Sequence, residues 1–254
     1  MIARFDPLGP DAGPSRSPAR RGVTLVECLV IAGIVALLIG LLLPARRTAS
    51  RAARRMQCAS NMHNIGLGLF GYEQSHHALP IGRTEDADGR PLHDWRTLIL
   101  PYMDHEALYN SLNLSKSWDD PANAEAMATE IGVFHCPELP NPKNMTTYLG
   151  IATPDGCFPP GRPLKSEEFT DGRSTTLMVI EGGAEHAAPW MAPVDADERL
   201  ILGLGPSTKS NHRGGMNALF ADGADRFLSD QIAPEIRRIM ITVSGHDQIP
   251  QDLY

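Results

Sequence analysis

No C-x-x-C pair, no H-E-x-x-H, no G-x-S-x-G and no phosphate-binding P-loop occurs in the 254 residues. Their absence removes the zinc-ribbon, thioredoxin-like, zincin, serine-hydrolase and P-loop classes that those spacings mark. Basic charge is also short: 23 Lys and Arg face 30 Asp and Glu, for a net charge of −7. Ahead of Val23 stand Arg4, Arg16, Arg20 and Arg21 against Asp6 and Asp11, so the acid excess falls on the remainder. An acidic body repels a phosphate backbone, and no nucleic-acid partner is expected. Aromatics are only 6% while glycine (23) and proline (21) are plentiful, which suits a loop-rich α+β domain better than a tight helical bundle. No internal repeat of solenoid length is visible.

One long apolar run is present. Val23 to Leu43 would make roughly 30 Å of helix, about one hydrocarbon core, with Glu27 as its single charge. A secretory signal would be shorter and end in small residues, whereas Leu41-Leu42-Leu43-Pro44 leads into an arginine-rich stretch. Thr24-Leu-Val-Glu27 fits the capping box, which satisfies the free N–H groups of a helix start. A carboxylate on a lipid-facing helix, by contrast, costs about 2.5–3.5 kcal/mol and calls for a partner. Both readings of Glu27 stand.

Arg20-Arg21-Gly22, then Val23-Thr24-Leu25-Val26-Glu27 and the apolar helix, resembles the cleavage and methylation motif of type IV pilins and type II secretion pseudopilins. The resemblance implies a leader over 1–22, cut after Gly22 by a prepilin peptidase that methylates Val23. Glu27 becomes the assembly glutamate, pairing with the new Val23 amine of a neighbouring subunit, and Pro44 a helix kink. Arg55-Met-Gln-Cys58-x-x-Asn61, Phe134-His-Cys136-Pro, Thr170-Asp-Gly-x-Ser-x-Thr176 and His212-x-Gly214-Gly215 with Phe220-Ala-Asp222-Gly223 resemble a pilin-like group numerous in planctomycetes. Its exported domain was once grouped with solute-binding proteins.

The expected organisation is a leader (1–22), a transmembrane helix (23–44), a soluble continuation of that spine (45–77) and an exported α+β domain (78–254) on an antiparallel sheet. Past Pro44, Ala49, Ala52, Met56, Ala59, His63 and Gly66 recur at three and four residues, predicting one helix to about Ser75. Asp94 to Tyr102 reads as a short helix or strand, 105–112 and 121–131 as short helices, and 133–137 as extended. Thr175 to Glu181 reads as a strand. Met216 to Ala221 and Ala224 to Leu228 around Asp222-Gly223 form the strongest hairpin signal, with a type I′ turn expected. Residues 232–242 close the chain as a helix or edge segment.

Under the topology that the resemblance implies, Cys58 and Cys136 lie where disulfides persist, and they are the candidate disulfide; two buried free thiols are the alternative. Such a staple would contribute ~3 kcal/mol. Cys157 has no partner in this scheme, and Cys28 sits in the apolar run. His212-Arg-Gly-Gly reads first as a glycine turn, with a catalytic or metal-binding loop as the rival. Asp171, Asp195, Asp197, Asp222 and Asp225 offer oxygen ligands for Ca²⁺ but no EF-hand spacing, so no metal and no cofactor is expected. Trp95, Trp118 and Trp190 read as core anchors sooner than sugar platforms.

The expectation for function is a non-enzymatic structural subunit at the inner membrane, single-pass, with its C-terminal domain periplasmic or at the cell surface. Its partners would be the prepilin peptidase/methyltransferase, other pilin-like subunits and the membrane. The alternative is a membrane-anchored module that binds a solute or polysaccharide and uses the prepilin route only for export.

Overall fold

The computed structural model describes residues 24–140 and 142–245. Helix α1 (Leu25–His76) is 52 residues long and continues through Pro44. It ends where His77 turns to a φ of 58°. Two compact units divide the chain, 1–48 and 49–254. Gly22, Val23 and the leader lie outside the described residues.

Among the described residues no helix is long and apolar enough to cross a membrane. This corrects the transmembrane helix expected over 23–44.

After α1 come β1 (Arg83–Glu85), β2 (Pro91–Asp94), α2 (Trp95–Leu98), α3 (Glu106–Ser111) and α4 (Ala124–Ala128). The extended piece expected at 133–137 instead begins as a 3-10 turn, Gly132–Phe134. Then follow β3 (Met145–Thr146), β4 (Tyr148–Gly150), β5 (Leu177–Glu181), β6 (Ala188–Pro189), α5 (Glu198–Gly203), β7 (Gly215–Phe220), β8 (Asp225–Ser229) and α6 (Pro234–Met240). The main sheet is antiparallel in the order β4-β5-β7-β8. The α+β, antiparallel part of the expectation therefore stands.

Both faces of this sheet are covered. Cys58, Met62, Ile65 and Leu69 of α1 pack in one apolar cluster with Val179 and Leu219 of the sheet. Leu149, Ile180 and Phe220 point the other way, to Ile201 of α5 and Met240 of α6. Each such buried side chain contributes about 1.5–3 kcal/mol. Strand β5 is buried at every position, because helices cover both of its faces.

Three glycines let α1 approach closely. Gly66, Gly68 and Gly71 spell G-x-G-x-x-G, but in mid-helix, where no strand-to-helix turn exists to cradle a dinucleotide. A Cβ there would stand 3.0 Å from Leu219, 2.6 Å from Met103 and 3.0 Å from Tyr102 respectively.

The β7–β8 turn is not type I′. Asp222 keeps a negative φ and Gly223 alone is left-handed (84°). Asp222 Oδ1 accepts from the Ala224 amide (3.0 Å), and its other oxygen pairs with Arg226 (2.7 Å). Trp95 and Trp190 are core anchors, donating to Asp195 Oδ1 (3.0 Å) and the Thr129 carbonyl (3.1 Å).

Candidate functional site

At the start of α1 the capping box is formed. The Thr24 amide donates to Glu27 Oε2 (2.8 Å), and the Glu27 amide donates to Thr24 Oγ1 (3.3 Å). The bond from the Thr24 backbone, then that from its hydroxyl, holds the exposed Glu27 carboxyl below the usual carboxylate range. Around it Leu25, Val26, Leu29, Val30, Ile31, Ile34, Val35 and Leu37 are all exposed, from 47 to 76%.

The second constellation is buried. Cys58 comes from α1, Cys136 from the segment after the Gly132–Phe134 turn, Glu181 from the end of β5, and His212 from the turn into β7. Each offers one ligand atom, and these atoms all lie within 4.8 Å of one another. Two backbone features aim His212 inward. Gly214 (φ 86°) and Gly215 (φ 157°) tighten the turn, in which the Gly215 amide reaches the His212 carbonyl at 3.5 Å. A Cβ on Gly215 would collide with the Leu228 carbonyl oxygen across the hairpin.

The candidate disulfide is met in space but not as a bond. The two sulfurs stand 2.7 Å apart, beyond the ~2.05 Å of a disulfide, and both cysteines are free thiols. His212 Nε2 lies 3.1 Å from Glu181 Oε2 but is out of alignment for a hydrogen bond, leaving this buried nitrogen without one. Asn217 Nδ2 donates to the same Oε2 (2.8 Å) and Asn211 Nδ2 to Oε1 (3.3 Å). Asn61, one turn past Cys58, donates to the His135 carbonyl (2.9 Å) and so ties the Cys136 segment to α1.

The electrostatics follow the crowding. A hydrogen bond with Cys136 outweighs burial and brings the Cys58 thiol down to about 7, with His212 assisting. The same bond and burial push Cys136 upward. Burial disfavours charge on His212, yet Cys58 and Glu181 beside it lift it to about 9. Burial likewise opposes charge on Glu181, but His212 keeps its carboxyl below the usual range.

Sequence reasoning found Cys58, Cys136, His212, Gly214 and Gly215, and the structure brings these into one place. Asp222 and Gly223 instead turn the far end of the hairpin. Glu181 and the asparagines were missed as site residues. The available signal was a carboxylate closing an otherwise apolar strand, which needs a partner when buried. The acidic residues weighed for calcium take separate roles. Asp195 holds Arg96, Asp197 caps α5, Asp222 pairs with Arg226, Asp225 faces His63, and Asp171 accepts from the Gly245 amide. Cys157 is buried elsewhere, against the Leu177 carbonyl (3.4 Å), and burial pushes its thiol up.

No curated protein and no solved structure matches the chain. Residues 47–152 match a family model named SBP_bac_10. The matched stretch holds Cys58, Asn61 and Cys136 but stops before Glu181 and His212. Over that stretch, less than half of its length, the chain is similar to the family described as "Protein of unknown function (DUF1559)".

Proposed function

We propose that this chain is a pilin-like structural subunit of the cell envelope, cut after Gly22 by a prepilin peptidase and assembled with other copies through the first part of α1. Its 49–254 unit is displayed outside the cytoplasm. The observation that supports this is the contrast along one helix. Cys58, Met62, Ile65 and Leu69 are fully buried in their own chain, whereas Leu25, Leu29, Ile31, Ile34 and Leu37 present exposed apolar side chains. Such a surface lowers its free energy by packing against like helices. Cleavage would also free an amine at Val23 within reach of a neighbour's Glu27.

N-terminal sequencing and intact mass of the protein taken from its native envelope test the reading. A chain beginning at N-methylated Val23 is expected. One beginning at Met1 overturns it.

A second reading has its own support. Phe70, Glu73, His76, His77, Lys165 and Arg173 line an open groove of about 730 Å³, polar enough to hold a solute or a sugar. Saturable glycan binding by the full chain, without self-assembly, would favour a binding module over a structural subunit.

A further inference from the structure

We propose that Cys58, Cys136, His212 and Glu181 form a structural zinc(II) site that locks α1 to the sheet. The donor set selects the ion. Two sulfurs, an imidazole nitrogen and one carboxylate oxygen suit a borderline-soft, four-coordinate cation, whereas calcium and magnesium take six or more oxygens.

The geometry is close to what zinc requires. Bonds of about 2.3 Å to sulfur and 2.0–2.2 Å to nitrogen and oxygen set tetrahedral edges of roughly 3.3–3.8 Å. His212 Nε2 and Glu181 Oε2, 3.1 Å apart, are already near that edge. The sulfurs, now at 2.7 Å, would part by ~1 Å on binding.

Three further observations agree. His212 Nε2 is buried and makes no aligned hydrogen bond, with the Glu181 oxygen 3.1 Å away, so a metal between them would give this nitrogen a directional partner. Asn217 donates to Glu181 Oε2 and Asn211 to Oε1, as outer-sphere partners orient a ligand. Both cysteines are fully buried, and all four ligand residues are classed as buried, which suits a closed structural site sooner than a catalytic one with an open position.

Binding releases to solvent the protons held by the two thiols and the proton of the His212 imidazolium, so that His212 binds as the neutral imidazole. The ion offsets the two thiolates, and the Glu181 charge is shared with Asn217. A Cys58–Cys136 disulfide would consume both sulfur ligands, so metal and disulfide exclude each other. The site does not depend on the subunit reading above.

The test uses the full chain, purified with a reductant, equilibrated with zinc(II) and dialysed against metal-free buffer. One equivalent of zinc per chain is expected, with both thiols protected from alkylation. Cobalt(II) substitution should give a tetrahedral spectrum with thiolate-to-metal charge transfer. Asn217→Ala, which keeps all four ligands, should weaken zinc binding about 10–100-fold. Because Cys136→Ser alters a fully buried side chain and can unfold the domain, the cobalt spectrum of the unaltered chain is the deciding reading. Failure to bind zinc while both thiols are reduced overturns the proposal, as does bound cobalt without thiolate charge transfer. So does a Cys58–Cys136 disulfide in protein isolated from its native compartment.

Discussion

The guanidinium of Arg173 clamps the carboxylate of Glu73 with both terminal nitrogens, at 2.5 and 3.1 Å. The pair joins the exit of α1 to the loop before β5, and Ser166 donates a further bond to Glu73 Oε1. Burial raises the Glu73 pKa, but Arg173 and Ser166 outweigh it and hold the carboxyl below its usual value. A group depressed on folding contributes stability that is present above its unfolded pKa and lost as pH falls through the folded one. Thermal unfolding followed downward from pH 5 should show this loss. Glu73→Gln should cost about 1.5–3 kcal/mol at neutral pH and flatten the acid limb of the profile. An unchanged limb would mean that other carboxylates carry the acid sensitivity.

Arg96 is completely buried. It pairs with Asp94 and Asp195 and donates to the Tyr148 and Val194 carbonyls. Replacing it strands two carboxylates in the core, which is worse than removing the whole network. Arg96→Met should therefore destabilise the 49–254 unit by roughly 3–5 kcal/mol in urea titrations. A loss below about 1 kcal/mol, the scale of an exposed pair, would show that water reaches the aspartates.

The two glycines of the His212 turn should respond unequally to alanine. Gly214 is left-handed with open space around it, so Gly214→Ala should cost about 1–2 kcal/mol. Gly215→Ala adds a collision with the Leu228 backbone and should cost more. Denaturation midpoints of the two variants check the order, and equal losses would place the strain elsewhere.

Glu27→Ala should abolish self-association of the processed protein while leaving the melting temperature of the 49–254 unit unchanged. Its carboxylate accepts bonds from the Thr24 amide and hydroxyl, within the helix start. Cross-linking in the native envelope reads the first effect and calorimetry the second. Normal assembly by this variant would remove Glu27 from the association mechanism.

Local pattern carried much of the fold. The Thr24–Glu27 capping box, the three- and four-residue rhythm through Ala59, His63 and Gly66, and the β7–β8 hairpin around Asp222-Gly223 are all interactions between near neighbours, so composition and spacing expose them. The Asp222-Gly223 turn type was misread because a dipeptide does not report the φ of its aspartate. G-x-G-x-x-G over 66–71 has the same weakness, since only its setting in mid-helix marks it as a packing face. The length of the apolar run suggested a membrane span, yet among the described residues no helix is long and apolar enough to cross one.

By itself the sequence determined the long α1, the antiparallel hairpin and the acidic body, and it left Cys58 and Cys136 open between a disulfide and two buried thiols. Only the tertiary structure decided that Glu181 and His212 meet those two sulfurs, and that the sulfurs stay unbonded. Convergence of residues from a helix, a strand end, a turn and an irregular segment depends on how α1 packs on the sheet. That packing is set by non-directional burial of apolar area, which leaves no mark in local spacing.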